Sequence, residues 1–492
     1  MPDIAIENVV RVTLSVAEAG MSAKNVNAVA LFTNDAPINL TDAYLIGKNV
    51  AAFASHFATG SLTMKMISAI FAQNKNVISG NGYLAVIPMR STVSATPASA
   101  SITVDSAQIT ALQAVTDGTL KITINGTVHN YGGMDFSGVQ NIDDVKKILA
   151  ANFSDAEITV SGTTMTFSTK TVGTTASIVL GAGTVVGATD ISTILDVQYA
   201  TTVSGTNSSG ETLVEAIGRT MSAVAYCGIL STAIEEDDKI LENSTYIASL
   251  KDNIYLNAWH SVKDIDGACA TISGKSEKTT RCLCYGHGSY ADAKVMSAAY
   301  AGRAFSTNFS GSNTSQTMNL KSLVGVAPDT TLTENDYAKA KTAGVDLYVN
   351  YNNGLPKIFS TGGNGFFDTV YENMALRFSV QANIFNALGT TSTKIPQTET
   401  GMSVLRSAVA QSFIQFVNNG CLAAGTWTGS DTFGDPEVFR QNIEQKGWYV
   451  YSLPIKEQQQ AEREQRIAQV VQGACKRAGA IHEADVILSV EN

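Results

Sequence analysis

The chain has 492 residues, of which 44% are hydrophobic and only 15% are charged, and its formal net charge is −10. This length exceeds one typical core and predicts two or three domains. The negative charge argues against nucleic acid as a direct ligand, because phosphate binding needs basic patches. No apolar run is long enough to span a bilayer, so no membrane insertion is expected. The low charged fraction favours a subunit of a large oligomer over a monomer.

The amino terminus and the cysteines predict synthesis in a cytoplasm. The first residues, Met-Pro-Asp-Ile, lack the basic and apolar regions of a signal peptide. The six cysteines lack the spacing of a disulfide framework, which is typical of reduced thiols.

Both ends of the chain show the alternating pattern of a half-buried strand, with apolar residues at every second position. Terminal segments fray unless something holds them. Each end is therefore predicted to be a strand that joins a sheet, either in its own domain or in a neighbour. The alternating residues are Ile4, Ile6, Val10, Val12, Leu14 and Val16 at the start, and Ala484, Val486, Leu488 and Val490 at the end.

Residues 21–96 predict the first part of an α/β core. A strand over 27–33 is followed by a helix over 63–73 with apolar residues at helical spacing. Residues 83–88 form a continuous apolar run, which is typical of a strand covered on both faces.

Residues 97–205 are rich in Thr, Ser, Gly, Val and Ile and poor in charge. Asn125-Gly126 lies between two alternating segments, which is a strong hairpin signal, and 157–167 predicts a second hairpin. Segments rich in Ser, Thr and Gly flank this region. These features predict an inserted, mainly β domain between two linkers.

Residues 206–478 predict the second part of the α/β core. Two long helices over 368–388 and 401–418 follow a hairpin, and 448–451 reads as a strand. A single helix is predicted over about 456–477, polar in its first half and amphipathic in its second. The polar half is either solvated or faces a partner through Lys456, Arg463 and Arg466, and the sequence leaves both interpretations open.

Two groups of residues have the composition of metal sites. Cys282, Cys284 and His287 could bind zinc, but no fourth ligand lies nearby in the sequence. Buried structural thiols are the favoured interpretation. The acidic run at 235–238 could bind a divalent cation, although such a run at the start of a helix more often compensates the helix dipole. No metal and no cofactor are therefore expected.

Two further groups could take part in catalysis or phosphate binding. The glycine-rich segment from Gly362 to Gly365 lacks the lysine and the spacing of a phosphate loop. His260 could pair with Asp264 or Asp266, but no nucleophile motif completes such a pair. We therefore expect a protein that is not an enzyme.

Several stretches of the second half stand in a characteristic order. They are Ala298-Ala-Tyr-Ala-Gly-Arg-Ala304, the segment 319–326, Leu332-Thr-Glu-Asn-Asp-Tyr337, Ala343-Gly-Val-Asp-Leu-Tyr348, the helices after Phe367 and over 401–418, and the segment from Gly479 to the end. In this order they resemble the contractile tail sheath proteins of bacteriophages, over residues 210–492 and more loosely over 1–90. Many sheaths carry Gly-x-Arg-Thr after the hairpin, where this chain has Phe359-Ser-Thr-Gly-Gly-Asn364.

The resemblance implies an α/β (α+β) sheath core, an inserted and outward-facing β-rich domain, and exchanged terminal arms. The arms would be 1–20 and 479–492, the core 21–96 and 206–478, and the insert 97–205. In sheaths, each arm adds a strand to a neighbour's sheet. The implied partners are copies of the chain in hexameric rings and a helical lattice, the tail tube protein, the baseplate and the tail terminator.

The implied function is a structural one, in which the sheath contracts and drives the tube through the host envelope. The protein would be assembled in the bacterial cytoplasm and reside in the virion. Two alternatives stay open at this point: the sheath of a tailocin or injection system, and a glycan-binding module in the insert.

Overall fold

The computed structural model describes residues 24–38, 43–90, 95–206, 210–261, 265, 267–275, 278–351, 354–363, 365–391 and 393–488. The chain divides into two units. We call Met1–Met89 with Leu213–Asn492 the core unit, and Arg90–Thr212 the insert unit.

The strands of the described chain, in order, are β1 (Val29–Thr33), β2 (Leu45–Gly47), β3 (Leu84–Pro88), β4 (Pro97–Thr103), β5 (Gly118–Ile124), β6 (Thr127–Met134), β7 (Ala156–Ser161), β8 (Thr164–Val172), β9 (Ile178–Ala182), β10 (Thr189–Asp190), β11 (Thr201–Val203), β12 (Gly228–Ser231), β13 (Ile254–Trp259), β14 (Thr280–Cys284), β15 (Asp346–Tyr351), β16 (Leu355–Phe359), β17 (Trp448–Ser452) and β18 (Val471–Cys475).

The α-helices are α1 (Leu62–Phe71), α2 (Ser106–Leu112), α3 (Ile142–Asn152), α4 (Leu213–Thr220), α5 (Asp237–Leu250), α6 (Ala268–Ser273), α7 (Tyr290–Ala304), α8 (Glu334–Ala343), α9 (Phe367–Gly389), α10 (Glu399–Asn419), α11 (Pro436–Lys446) and α12 (Gln460–Glu464). No helix in the described part of the chain is both long and apolar enough to cross a membrane.

The core unit is built on a sheet of eight strands in the order β16-β15-β14-β13-β12-β1-β3-β2. The strands from β15 to β3 run parallel, and β2 and β16 are antiparallel at the two edges. Both faces of β1 are buried: Val29 and Leu31 join one apolar cluster, and Ala30 and Phe32 join another. Crossover helices cover both faces of a parallel sheet, which explains the continuous apolar strands.

The insert unit has two mainly antiparallel sheets around one core of its own, and β10 runs parallel to β5. In one sheet β5 pairs with β6, β9 and β10, and in the other the order is β11-β4-β8-β7. Their inward side chains, among them Leu120, Ile122 and Phe167, are fully buried in one cluster. The mixed α/β fold with a β-rich insert, which the sequence predicts, is confirmed.

The prediction of a single helix over about 456–477 is wrong. A 3-10 turn at Ile455–Glu457 and the short helix α12 are followed by strand β18. Arg466 has a φ of 58°, Ile467 N donates to Glu462 O, and Arg466 N donates to Arg463 O. This pattern of hydrogen bonds is a Schellman motif, which ends a helix. Pairing of the β-branched Val471 segment with β17 then overrides the helical propensity of the sequence.

Candidate strand-acceptor site

β17 and β18 form a two-stranded antiparallel sheet that is separate from the large sheet. Trp448 pairs with Cys475, Val450 with Gly473 and Ser452 with Val471. A two-stranded sheet is marginally stable alone and needs cover on its faces.

Helix α10 covers the first face of this sheet. The Phe413 ring lies 6.0 Å from the Trp448 ring, and it also lies against Gly473. Val450, Val471 and Cys475 pack against the same apolar cluster. The α10 face is therefore continuous with the core of the unit.

Helix α11 covers the second face. Phe439 and Ile443 are fully buried there with Ala474. Phe433 stacks on Tyr449 with the ring centroids 5.6 Å apart, and Phe439 meets Tyr449 edge-on at 5.5 Å. This aromatic cluster closes the face opposite to α10.

The two outer edges of this sheet remain after its two faces are covered. Among the described residues, no third strand pairs with β17 or with β18. Edge strands present rows of main-chain N–H and C=O groups that can pair with another strand. We call β17 and β18 the acceptor sheet, because its faces are covered and its outer edges pair with no other strand of the described chain.

The chain after β18 is held firmly before it reaches the terminal segment. Ala478 N donates to Cys421 O at 2.9 Å, and Arg477 forms an isolated bridge with Leu422. The Arg477 guanidinium donates to Glu372 Oε2 at 2.7 Å and to the carbonyl of Thr369 at 2.8 Å. These contacts fix the point at which the terminal segment leaves the core unit.

The described part of the terminal segment, residues 479–488, has no assigned secondary structure. Val486 is 76% exposed and Leu488 83% exposed, and Ala484 is also exposed. The segment touches its own subunit near its start, where His482 Nε2 lies 2.8 Å from Thr317 Oγ1 and Lys341 Nζ 3.2 Å from Glu483. The predicted strand therefore has no partner strand within the described chain.

The remaining predicted arm residues lie outside the described residues. They are Ile4, Ile6, Val10, Val12, Leu14, Val16 and Val490.

The three basic residues predicted on one helix are on different local structures. Lys456 lies in the 3-10 turn, Arg463 in α12, and Arg466 in the left-handed position that ends α12. Lys456 and Arg466 are exposed and Arg463 is partly buried. The segment between β17 and β18 carries all three.

The candidate zinc residues do not form a metal site. Cys282 and Cys284 are buried on β14 in an apolar cluster that also contains Cys269. A hydrogen bond with Cys282, together with burial, raises the pKa of the Cys269 thiol. In the described part of the chain, no three His, Cys, Asp or Glu side chains stand close enough to hold a metal ion. His287 instead lies edge-on to Tyr285.

The acidic run has structural partners. Asn243 Nδ2 donates to Glu235 at 2.7 Å, and Trp259 Nε1 donates to Asp237 at 3.1 Å. Asp237 and Asp238 lie in the first turn of α5, where carboxylates interact favourably with the helix dipole.

The other two candidates also have structural surroundings. Gly365, with a φ of 67°, accepts a hydrogen bond from Arg281 through its carbonyl. His260 Nδ1 lies 3.1 Å from the carbonyl of Tyr285, and its predicted partners Asp264 and Asp266 lie outside the described residues.

Sequence reasoning missed the acceptor sheet, because it placed β18 inside a helix. The adjacent Val470 and Val471, followed by Gly473, were the signal that could have indicated a strand. It also missed the buried ion pair of Arg281 and Asp346, whose residues belong to neighbouring strands far apart in the chain.

Two regions of the chain match models of known protein domains. Residues 367–490 match the C-terminal domain of proteins like the E217 tail sheath protein gp31. Residues 95–211 match the insert domain of the same tail sheath protein. The second match does not favour a glycan-binding module for the insert. No curated protein sequence matches the chain.

Two solved structures align with this chain over nearly its whole length. One is the helical sheath of the anti-feeding prophage in its contracted state, at 10% identity and a TM-score of 0.49, covering 98% of both chains. The other is the baseplate of the same particle in its contracted state, at 8% identity and a TM-score of 0.49, covering 99% of both chains. The assignment depends on the two domain matches, which lie in separate regions of the chain. Two separate regions of the chain thus match two domains of one tail sheath protein, which supports a structural subunit of a contractile tail sheath.

Proposed function

We propose that the subunits polymerise into stacked rings around a tail tube by exchanging their terminal arms. The observation that supports this proposal is the acceptor sheet, whose two faces are covered and whose outer edges pair with no other described strand. One subunit offers two edges and has two alternating arms, so each arm has one edge to occupy. The arms comprise 1–20 and 479–492, and the sheet that receives them belongs to another copy.

The contacts around Arg477 support exchange between subunits. They hold the chain up to Ala478, and beyond that point the apolar side chains Val486 and Leu488 stay exposed. Covering these exposed, alternating apolar side chains with a second sheet lowers the free energy, because it removes apolar surface from water. Each new main-chain hydrogen bond adds about 0.5–1.5 kcal/mol net. An arm therefore binds through its backbone, and its alternate side chains set the register.

The first experiment removes or breaks the C-terminal arm in the full chain. Deleting residues 480–492 should leave a folded monomer that forms no tubes in negative-stain microscopy. Val486→Pro should do the same, because proline removes a ladder hydrogen bond. Val486→Thr keeps strand propensity and is the matched control that should still assemble. Long tubes from the deletion variant would contradict arm exchange.

The proposed motion is contraction from an extended lattice to a compact one, in which the arms keep neighbours linked. Such a transition needs two packings of the same subunits that differ by a modest free energy per copy. Summed over a whole tail, this energy drives the tube through the host envelope. The baseplate and the terminator would hold the two ends, and assembly would take place in the host cytoplasm before the virion is released.

We assign the segment between β17 and β18 to the tube-facing side, with Lys456, Arg463 and Arg466 as contacts. The support is that one connection carries all three basic residues, with Lys456 and Arg466 exposed and Arg463 partly buried, and that this connection joins the two strands of the acceptor sheet. The variant with all three residues changed to Glu should still form sheath polymers but should lose binding to purified tubes. A matched control changes three other exposed lysines, Lys65, Lys75 and Lys147, to Glu. Unchanged tube binding by the first variant would remove this assignment.

A further inference from the structure

A lysine side chain is buried in the core unit, and no carboxylate of the described residues is hydrogen-bonded to it. Lys294 in α7 is only 2% exposed, and its Nζ lies 3.0 Å from Oδ1 of Asn257. The ring of Tyr290 is a further neighbour, with its centroid 5.5 Å from Nζ. An isolated ammonium group is costly to bury, so this lysine requires an explanation.

Asn257 is equally enclosed. It lies in β13 and is 1% exposed, and its Nδ2 is a buried donor with no hydrogen-bond partner among the described residues. Buried polar atoms almost always find a partner. The side-chain carbonyl of Asn257 accepts the hydrogen bond from Lys294, whereas its NH₂ group makes no hydrogen bond within the described residues.

Burial also changes the protonation of this lysine. It lowers the pKa of Lys294 to about 8, and the charge of Glu235 only partly opposes this effect. An appreciable fraction of the side chain is then a neutral amine near neutral pH. A neutral, desolvated amine is the nucleophilic form of lysine.

Glu235 supplies a carboxyl group to the same surroundings. Burial raises the pKa of Glu235, and the charge of Lys294 acts on it in the opposite direction. A raised pKa makes a carboxylate a stronger base, which favours a role in proton transfer. A buried amine and a buried amide therefore lie 3.0 Å apart, and the charge of the partly buried Glu235 acts on the amine.

We propose that Lys294 and Asn257 react within the folded subunit to form an amide bond between their side chains. The lone pair of the neutral amine attacks Cγ of Asn257. The new Nζ–Cγ bond forms, the Cγ–Nδ2 bond breaks, and one proton passes from Nζ to the leaving nitrogen through Glu235. The products are the amide and one molecule of ammonia, so the reaction needs no oxidant, reductant or other reactant.

The bond ties a crossover helix to a central strand. α7 and β13 are joined through residues 37 positions apart in the sequence. Positioning within a rigid fold replaces the encounter of two separate reactants, which is what makes such a reaction fast enough to occur. The subunit would then resist being pulled apart while it is strained during sheath contraction.

The mass of the purified full chain tests the proposal directly. Wild-type protein should weigh one ammonia less than its sequence. Trypsin should release peptide 252–263 joined to peptide 282–303, because the modified Lys294 is no longer cleaved. A wild-type mass equal to the full sequence mass, after prolonged incubation at pH 8 to 9, would overturn the proposal and show a hydrogen bond only.

Variants identify the reacting groups. Asn257→Ala and Lys294→Met should each restore the sequence mass, while Lys65→Met, at an exposed lysine of α1, should still lose ammonia. Asn257→Asp should lose water instead of ammonia, which separates this reaction from any other loss. Glu235→Gln should slow bond formation about 100-fold, the usual scale of proton-transfer catalysis. An unchanged rate in Glu235→Gln would contradict the assigned role of Glu235.

Discussion

The ring of Phe413 in α10 lies against Gly473 in β18 so closely that no Cβ atom fits between them. A Cβ built at Gly473 would stand 2.9 Å from Cζ and 3.0 Å from Cε2 of the ring. The covered face of the acceptor sheet therefore depends on a glycine at this position. The long helix and the free-edged sheet are packed as one body.

Gly473→Ala should displace the ring and loosen the sheet. Overpacking a well-filled contact costs about 1–3 kcal/mol, so the thermal unfolding midpoint should fall and tube assembly should weaken. Gln472→Ala, at the exposed neighbouring position, is the matched control and should leave both unchanged. A Gly473→Ala protein with wild-type stability would show that the ring moves aside at no cost.

Arg477→Met should weaken the anchor of the C-terminal arm. It removes a hydrogen bond to the buried Glu372 carboxylate, and bonds to charged groups are worth about 1.5–3 kcal/mol. The apolar stem is kept by Met, so the loss reports mainly the lost charge. Chemical denaturation measures the loss, with Lys476→Met as the control. Equal stabilities of the two variants would argue against Arg477 as an anchor.

Glu372 should make stability depend on pH. Burial raises the pKa of Glu372 above its usual 4.5, although Ser315 and Arg477 oppose the shift. The folded state then binds a proton more tightly than the unfolded state. The free energy of unfolding should therefore fall as pH rises from about 4.5 through the folded pKa. Glu372→Gln should lack this slope when unfolding is followed across that range, and a slope equal to wild type would assign it to another group.

The insert unit should be removable. Glu211 N donates to Arg90 O at 2.9 Å, and Thr96 and Thr206 form a two-way backbone bridge. The two ends of the insert are therefore close together. Replacing residues 91–210 by a short Gly/Ser linker should leave a core that folds and assembles, since linkers tolerate such changes well.

The excised insert, residues 95–206, should fold alone around its own apolar cluster. Dispersed amide resonances in a two-dimensional NMR spectrum would demonstrate this. Leu120→Asp places a charge in that cluster and serves as the unfolded control. A disordered insert would show that it depends on the core unit.

Local patterns in the sequence were enough for the elements with strong periodicity. The apolar stripes of α9 and α10, the continuous apolar strands β1 and β3, and the Asn125-Gly126 hairpin follow from residue spacing and turn chemistry. Each of these signals is local, because it reports which side of an element is buried. It does not report what that side is buried against.

Only the tertiary structure decided which distant segments meet. The sequence of β18 predicts the end of a helix, but the segment forms a strand because it pairs with β17. Arg477 meets Glu372 across 105 positions, and Lys294 meets Asn257 because a crossover places α7 on β13. The alternation of Ala484, Val486 and Leu488 was readable from the sequence alone. The acceptor sheet was not, because pairing between distant strands depends on packing that no local pattern contains.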